Sequence, residues 1–205
     1  MSQKWLEWAK RIQALSQAGL TFSKDDYDIE RYKELREISS EIMQEYTGLK
    51  MEQIKDLFTN ETGYQTPKVD VRGVVFKDNK ILMVKEKNEQ KWALPGGFCD
   101  VGLSPSENIV KEIKEEAGFD VSPIKLLACL DMSKHLDTPQ PYHYYKLFIH
   151  CEIIGGEATN GLETNGVDFY EEGHLPSLSI RRNTEAQINL LFQFLDDPMK
   201  NTILD

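Results

Sequence analysis

The 205-residue sequence holds only three cysteines, Cys99, Cys129 and Cys151. They are odd in number, far apart and not in the close pairs that ligate metals. That argues against a disulfide framework or a zinc site and for buried, reduced thiols in a cytosolic protein. No apolar run approaches the roughly 18 residues of a membrane span. The opening stretch, MSQKWLEWAKRIQ, is charged and amphipathic and lacks the apolar centre of a signal peptide. A basic excess is missing too, since 24 Lys and Arg face 34 Asp and Glu for a net charge of −10. Nucleic-acid and anionic-membrane binders draw their affinity from a basic footprint, so strong nucleic-acid binding and membrane association are not expected. Phosphate substrates stay open, because a bound cation reverses the sign locally. With 40% apolar and 28% charged residues, the chain has the composition of an ordinary globular protein. Its length suits one domain with an appendage, or two small domains.

The informative stretch runs from Leu94 to Phe119, LPGGFCDVGLSPSENIVKEIKEEAGF. Its second half predicts a helix. Ser104 and Glu107 have capping-box spacing, Pro105 falls at the first helical position, and Gly118 stands where a left-handed terminal residue is expected. Glu112, Glu115 and Glu116 are spaced i, i+3 and i+4, so a helix projects them from one side within about 5–6 Å of each other. Ile109, Val110, Ile113 and Ala117 form a neighbouring apolar face. Gathered carboxylates repel, and Mg²⁺ suits such oxygen ligands while keeping waters and substrate phosphates in its shell. Interleaved with Lys111 and Lys114, the same glutamates taken alone would read as a solvated face. The Gly96-Gly97 turn feeding a loop and a capped helix tips the balance.

The stretch resembles a Nudix box: Gly, five residues, Glu, seven residues, then Arg-Glu-U-x-Glu-Glu-x-Gly-U, with U bulky and apolar. Gly97, Glu112, Ile113, Glu115, Glu116, Gly118 and Phe119 are in register. Leu103 replaces the usual Glu and Lys111 the usual Arg, two residues that commonly brace the loop against the helix. Losing one partner makes relaxing the other intelligible, because Lys is a looser donor than the planar Arg fork. The resemblance implies a metal site at Glu112, Glu115, Glu116 and the Gly97 carbonyl, occupied by Mg²⁺ or Mn²⁺. It also implies a general base in the loop before a late strand, where Glu163 is the one carboxylate of Gly161–Gly166. A box glutamate, Glu115 or Glu116, is the alternative base.

Before the box, residues 1 to about 62 read as helices. Trp5, Trp8, Ala9, Ile12 and Leu15 recur at helical spacing, and AGL at 18–20 predicts a break. Ser23 is placed to cap a second helix carrying Ile29, Tyr32, Leu35, Ile38, Ile42 and Tyr46. Met51, Ile54, Leu57 and Phe58 predict a third. So small a unit buries little alone, and a homodimer through these helices is expected. It also resembles a helical extension found on a bacterial subset of the family. TGYQTP at 62–67 reads as a linker, which divides the chain into a helical domain at 1–66 and a hydrolase domain at 67–205.

From Val69 the period changes. VDVRGVVF and ILMVKEK flank KDNK as a hairpin, and strands are predicted at 124–130, 144–154 and 166–170, with a closing helix at 183–195. Such an order suits an α/β fold, an α/β/α sandwich with a mixed sheet, which is the Nudix fold. Arg72 is a candidate phosphate clamp and Lys85 a weaker one. Tyr142, His143, Tyr144 and Tyr145 follow a Pro-bearing loop at 134–143. Tyr144 is the candidate ring to stack on a base, although strand propensity explains the cluster equally. The resemblance thus implies a cytoplasmic, metal-dependent hydrolase of a nucleoside diphosphate linked to another group. The helical extension, WALPGGF, Leu103, Lys111 and the late Glu163-Thr164 segment together look most like bacterial CDP-choline pyrophosphatases. ADP-ribose hydrolysis, RNA-end processing and non-catalytic nucleotide sensing are the alternatives.

Overall fold

The computed structural model describes residues 4–47, 50–55, 62–135 and 143–205. They divide into two compact units, one reaching Pro67 and including His143, the other formed by Lys68–Leu136 and Tyr144–Asp205.

The first unit is helical, with α1 (Lys4–Phe22), α2 (Asp26–Thr47) and the short α3 (Met51–Ile54). The expected break at 18–20 does not occur. One glycine costs a helix only about 1 kcal/mol relative to Ala, and Gly19 serves packing instead: a Cβ there would stand 2.4 Å from the Tyr32 ring. Asp25, not Ser23, caps α2, its carboxylate accepting the Asp28 N–H at 3.0 Å. The buried faces carry small and polar residues, among them Ala9, Gln13, Ser39 and Ser40. Ser39 Oγ donates to the Ala9 carbonyl at 2.8 Å. The predicted apolar stripe of α2 therefore lies partly outside, with Leu35 and Ile38 each 40% and Tyr46 63% exposed. Trp5 stacks on Tyr46 at 5.1 Å between ring centroids, and Trp8 is exposed. Leu57 and Phe58, expected in the third helix, lie outside the described residues.

The second unit holds the strands. Its predicted hairpin is only partly formed. β2 (Phe76–Lys77) and β3 (Lys80–Glu86) pair across Asp78 and Asn79, both left-handed at φ 51° and 61°, which is the type I′ geometry that matches strand twist. β1 (Lys68–Val74) instead runs parallel to β6 (Tyr144–Gly156). One four-stranded sheet is ordered β1-β6-β5-β8, with β5 (Phe119–Asp131) antiparallel to β6 and parallel to β8 (Ile203–Leu204). In the other, β3 lies between β4 (Trp92–Ala93) and β2 on one path and pairs with β7 (Thr164–Glu171). β5 begins earlier than its apolar pattern predicts, because a register shift accommodates Pro123. β8 is too short to leave a periodic signal.

Helices α4 (Pro105–Ala117) and α5 (Glu185–Asp196) cover opposite faces. Ile109, Ile113 and Ala117 of α4 pack with Val71, Leu82 and Val84. Ile188, Leu191 and Phe192 of α5 pack with Val74, Ile81 and Met83. The alternation along β3 thus feeds two cores, each fully buried Ile or Leu contributing about 1.5–3 kcal/mol. This is the expected α/β/α sandwich with mixed strands. Cys151 is buried, and burial pushes its thiol up to about 12, while Cys99 and Cys129 are only half-buried; all three are free. Among the described residues no helix is long and apolar enough to cross a membrane.

Gly156 ends β6 at φ 76°, and a Cβ there would stand 2.5 Å from the Gly118 carbonyl. Gly156→Ala is expected to destabilise the protein by about 1–3 kcal/mol. A shift of the urea midpoint to lower concentration checks it.

Candidate active site

Both ends of α4 form as its sequence predicts. The Ser104 hydroxyl accepts the Glu107 N–H at 3.2 Å, and the Glu107 carboxylate accepts the Ser104 N–H at 2.8 Å. Gly118, at φ 81°, closes the helix by donating to the Lys114 carbonyl. The turn that faces α4 is laced to the edge of β1. Gly73 N–H donates to Pro95 O and Val71 N–H to Gly97 O, each at 2.8 Å. Gly96, at φ 139°, brings its backbone so close that a Cβ would be 2.0 Å from the Val71 carbonyl. Only glycine fits.

Two of the three box glutamates face this turn. Glu116 Oε2 accepts the Gly96 N–H at 2.8 Å, and Glu112 Oε2 would lie 3.3 Å from a Cβ at Gly97. Glu116 is buried, and that burial is the main force pushing its carboxyl up to about 7. The Gly96 hydrogen bond and Arg72 oppose the rise, while Glu112 and Glu86 add to it. Burial likewise raises Glu112, with Lys111 and Arg72 opposing. Glu115 stands apart, 58% exposed and 3.5 Å from Lys111. Lys111 also pairs with Asp100 at 2.9 Å, so Asp100 supplies the loop-to-helix brace that Leu103 cannot. The resemblance did not point to Asp100, because it lies three positions before the usual Glu.

Arg72 is not open to substrate. It is 4% exposed, its Nε and Nη2 donating to the two Asp70 oxygens at 2.9 and 2.8 Å and its Nη1 to Leu94 O at 3.2 Å. The fork expected to clamp phosphate is engaged behind the site instead. Lys85 is half-buried on β3, in register with Trp92 and Gly166. Tyr144 is buried, with its ring edge-on to Phe98 at 5.7 Å, and burial pushes its hydroxyl up to about 12. The exposed ring of that pair is Phe98. Tyr142 lies outside the described residues.

Glu163 is exposed, on a loop docked against the end of α4. Thr164 Oγ1 donates to the Glu116 carbonyl at 2.7 Å and accepts the Gly161 N–H at 2.8 Å. Lys87 steadies the same loop: its Nζ donates to the Gly161 and Leu162 carbonyls at 3.0 and 2.6 Å. Sequence reading also passed over Glu86. This residue pairs with Thr164 across the sheet, is buried, and meets Arg182 Nη2 at 3.0 Å.

A family model described as "NUDIX domain" matches residues 66–188, and one described as "UDP-X-like, N-terminal oligomerisation domain" matches 3–58. The chain belongs to the Nudix family. A relative from Bacillus subtilis (strain 168), named "Putative ADP-ribose pyrophosphatase YjhB", is 56% identical over 202 residues, covering 98% of this chain and 97% of the relative. A solved UDP-X diphosphatase is 36% identical, covers 98% of each chain and superposes with a TM-score of 0.64. A Streptococcus suis 89-1591 ADP-ribose pyrophosphatase structure is 40% identical over 68% of this chain and all of its own, with a TM-score of 0.61. The protein is accordingly a Nudix hydrolase.

Nudix hydrolases generally use divalent metal ions, and the donors here fit one. Glu112 raises the carboxyl pKa of Glu116, and Glu115 and Asp100 add to the rise that burial gives Glu112, a repulsion that a cation would relieve. Gly97 O keeps a second lone pair beyond its bond to Val71. Among the described residues no three acidic, His or Cys side chains close around a point.

The Nudix carboxylate Glu116 makes stability pH-dependent. Its ordinary value is 4.5 and its folded value about 7. Between the two, the folded state binds more protons than the unfolded state, so stability falls as pH rises through that window. Urea titrations in EDTA should show this fall in the native sequence and a flatter profile in Glu116→Gln.

Proposed function

We propose that the chain hydrolyses the diphosphate of a nucleoside diphosphate linked to a second group, with CDP-choline preferred and CMP and phosphocholine as products. The observation that carries the reaction class is the convergence of Glu112, Glu116 and the Glu163 loop on one helix end, opposite the Gly96-Gly97 turn. Diphosphate cleavage needs charge neutralised on the phosphate oxygens, an activated water and a held leaving group. A divalent cation, Mg²⁺ or Mn²⁺, supplies the first and lowers the pKa of the second when bound.

The chain's own groups do the rest. Glu112, Glu116 and the Gly97 carbonyl are the proposed ligands on the inner side, with Glu115 reaching in from the rim once it leaves Lys111. Glu163 is the proposed base, since its exposed carboxylate can take a proton from water while Thr164 and Lys87 hold its backbone. Lys85 and Tyr144 are proposed at the substrate's edges, and Arg72 acts from behind as the fixed positive charge facing Glu116.

The CDP-choline preference is supported by resemblance in WALPGGF, Leu103, Lys111, the late Glu163-Thr164 segment and the helical extension, and a solved relative is named a UDP-X diphosphatase, UDP being a pyrimidine nucleotide. A second reading, ADP-ribose hydrolysis, is favoured by the names of the Bacillus and Streptococcus relatives. We further propose residues 1–66 as a homodimerisation domain, 67–205 as the hydrolase domain, and a cytoplasmic location.

Turnover of CDP-choline, ADP-ribose, an NTP and a short RNA, each with Mg²⁺, Mn²⁺ or EDTA, tests the substrate. Metal-dependent release of CMP well above the other products is expected. Faster cleavage of ADP-ribose would keep the chemistry and replace the substrate. Glu116→Gln should lose most turnover while remaining folded by circular dichroism, and near-native activity in that variant would remove the metal assignment. Glu163→Gln is expected to lower kcat about 10²–10⁴-fold with little change in KM.

A further inference from the structure

The pair formed by Glu86 and Arg182 is incompletely used on both sides. Glu86 is 3% exposed, and only its Oε2 is bonded, to Arg182 Nη2; its Oε1 is buried with no partner. Buried carboxylates facing arginine ordinarily engage both oxygens in a two-pronged contact, as Asp70 does with Arg72. The Arg182 side chain is 32% exposed, and among the described residues its guanidinium has this one polar contact. Most of its five N–H donors are left over.

The position of the pair is fixed from several directions. Glu86 lies across the sheet from Thr164, whose hydroxyl is bonded to the Glu116 carbonyl. Arg182 is held by its backbone, its N–H donating to Ser179 O at 2.8 Å and its carbonyl accepting from the buried Lys146 Nζ. The next residue, Asn183, accepts the Leu94 N–H at 3.0 Å through Oδ1, two residues before Gly96. The guanidinium is thereby held on Glu86, the strand partner of Thr164 beside Glu163, while the next residue in the chain, Asn183, binds Leu94 ahead of the glycine turn.

We propose that Arg182 is a substrate-gripping residue of this site, held in place by the buried Glu86 carboxylate and donating to an acceptor oxygen of the nucleotide. The acceptor is either a phosphate oxygen or a carbonyl on the base. Arg182 does what sequence reading assigned to Arg72, whose guanidinium is buried against Asp70 and the Leu94 carbonyl. The assignment rests on the pyrophosphohydrolase reading above, and native turnover tests that reading separately.

The test measures kcat and KM for the native protein, Arg182→Gln, Arg182→Lys and the double variant Glu86→Gln/Arg182→Gln, on whichever nucleotide the native protein cleaves. Arg182→Gln leaves a buried carboxylate without its counter-charge. The double variant removes that charge imbalance, so it separates gripping from folding. KM is expected to rise about 10- to 100-fold in both Gln variants, with Lys intermediate and kcat little changed. If KM returns to native in the double variant, or is unchanged in Arg182→Gln, Arg182 is structural and the proposal fails. Competitive inhibition by the nucleoside and by its monophosphate locates the acceptor. Weakening of both by Arg182→Gln places it on the base, and weakening of the monophosphate alone places it on phosphate. Native inhibition constants for both, alongside a raised KM, place it on the second phosphate. If the native protein cleaves no nucleotide, the functional reading fails first, and unaltered nucleotide binding by Arg182→Gln in calorimetry would overturn the gripping role as well.

Discussion

A single hydrogen bond, from the Gly96 amide to the Glu116 carboxylate, joins the two halves of the site. It requires a glycine, because any side chain at position 96 would enter the Val71 carbonyl. It also requires a helix that begins at Ser104 and ends at Gly118, since only that span turns Glu116 toward the sheet. The bond favours the charged carboxylate, whereas burial disfavours it, and burial wins. The site thus holds a carboxyl poised between two protonation states near neutrality. A cation held at the proposed site would resolve that conflict by favouring the charged form.

Behind the turn lies a buried layer of charge. Asp70 and Arg72 form a two-pronged pair, and Lys146 reaches the Arg182 carbonyl while lying 3.9 Å from Asp70. Burial drives the Lys146 ammonium down to about 7. Isolated charges in such a place would be costly, and breaking one partner more costly still. The arrangement gives the strand edge at Leu94–Gly97 a rigid polar backing. It also puts a fixed positive group near two acidic side chains without presenting it to solvent.

What could be read from the sequence was local. The capping box, the left-handed Gly118 and the spacing of Glu112 and Glu116 are set within one helix, and the structure reproduces the helix with those termini. The docking of the Glu163 loop depends on Thr164 meeting Glu116, 48 positions away, which no local pattern reveals. Nothing local in VKEK singles out Glu86, and nothing in the residues before α5 singles out Arg182. The Arg72 environment did leave a signal. Asp70 stands two residues earlier on the same strand face, where a pair of opposite charges satisfies itself. In the helical region regular apolar spacing does not separate inside from outside: Leu6 and Met43 are buried together with Ala9 and Ser39, while Trp8, Leu35 and Ile38 of the predicted stripes are exposed.

That partition has a consequence for the first unit. Its helices bury a small apolar cluster of Leu6, Ala9, Met43 and Ile54 beside polar residues, with Ser39 bonded to the Ala9 carbonyl. Leu35, Ile38, Tyr46 and Trp8 remain outward. In the proposed dimer such side chains are buried by another copy, and mass action then couples the folding of this unit to protomer concentration. The stability of this unit then becomes a property of the population of chains.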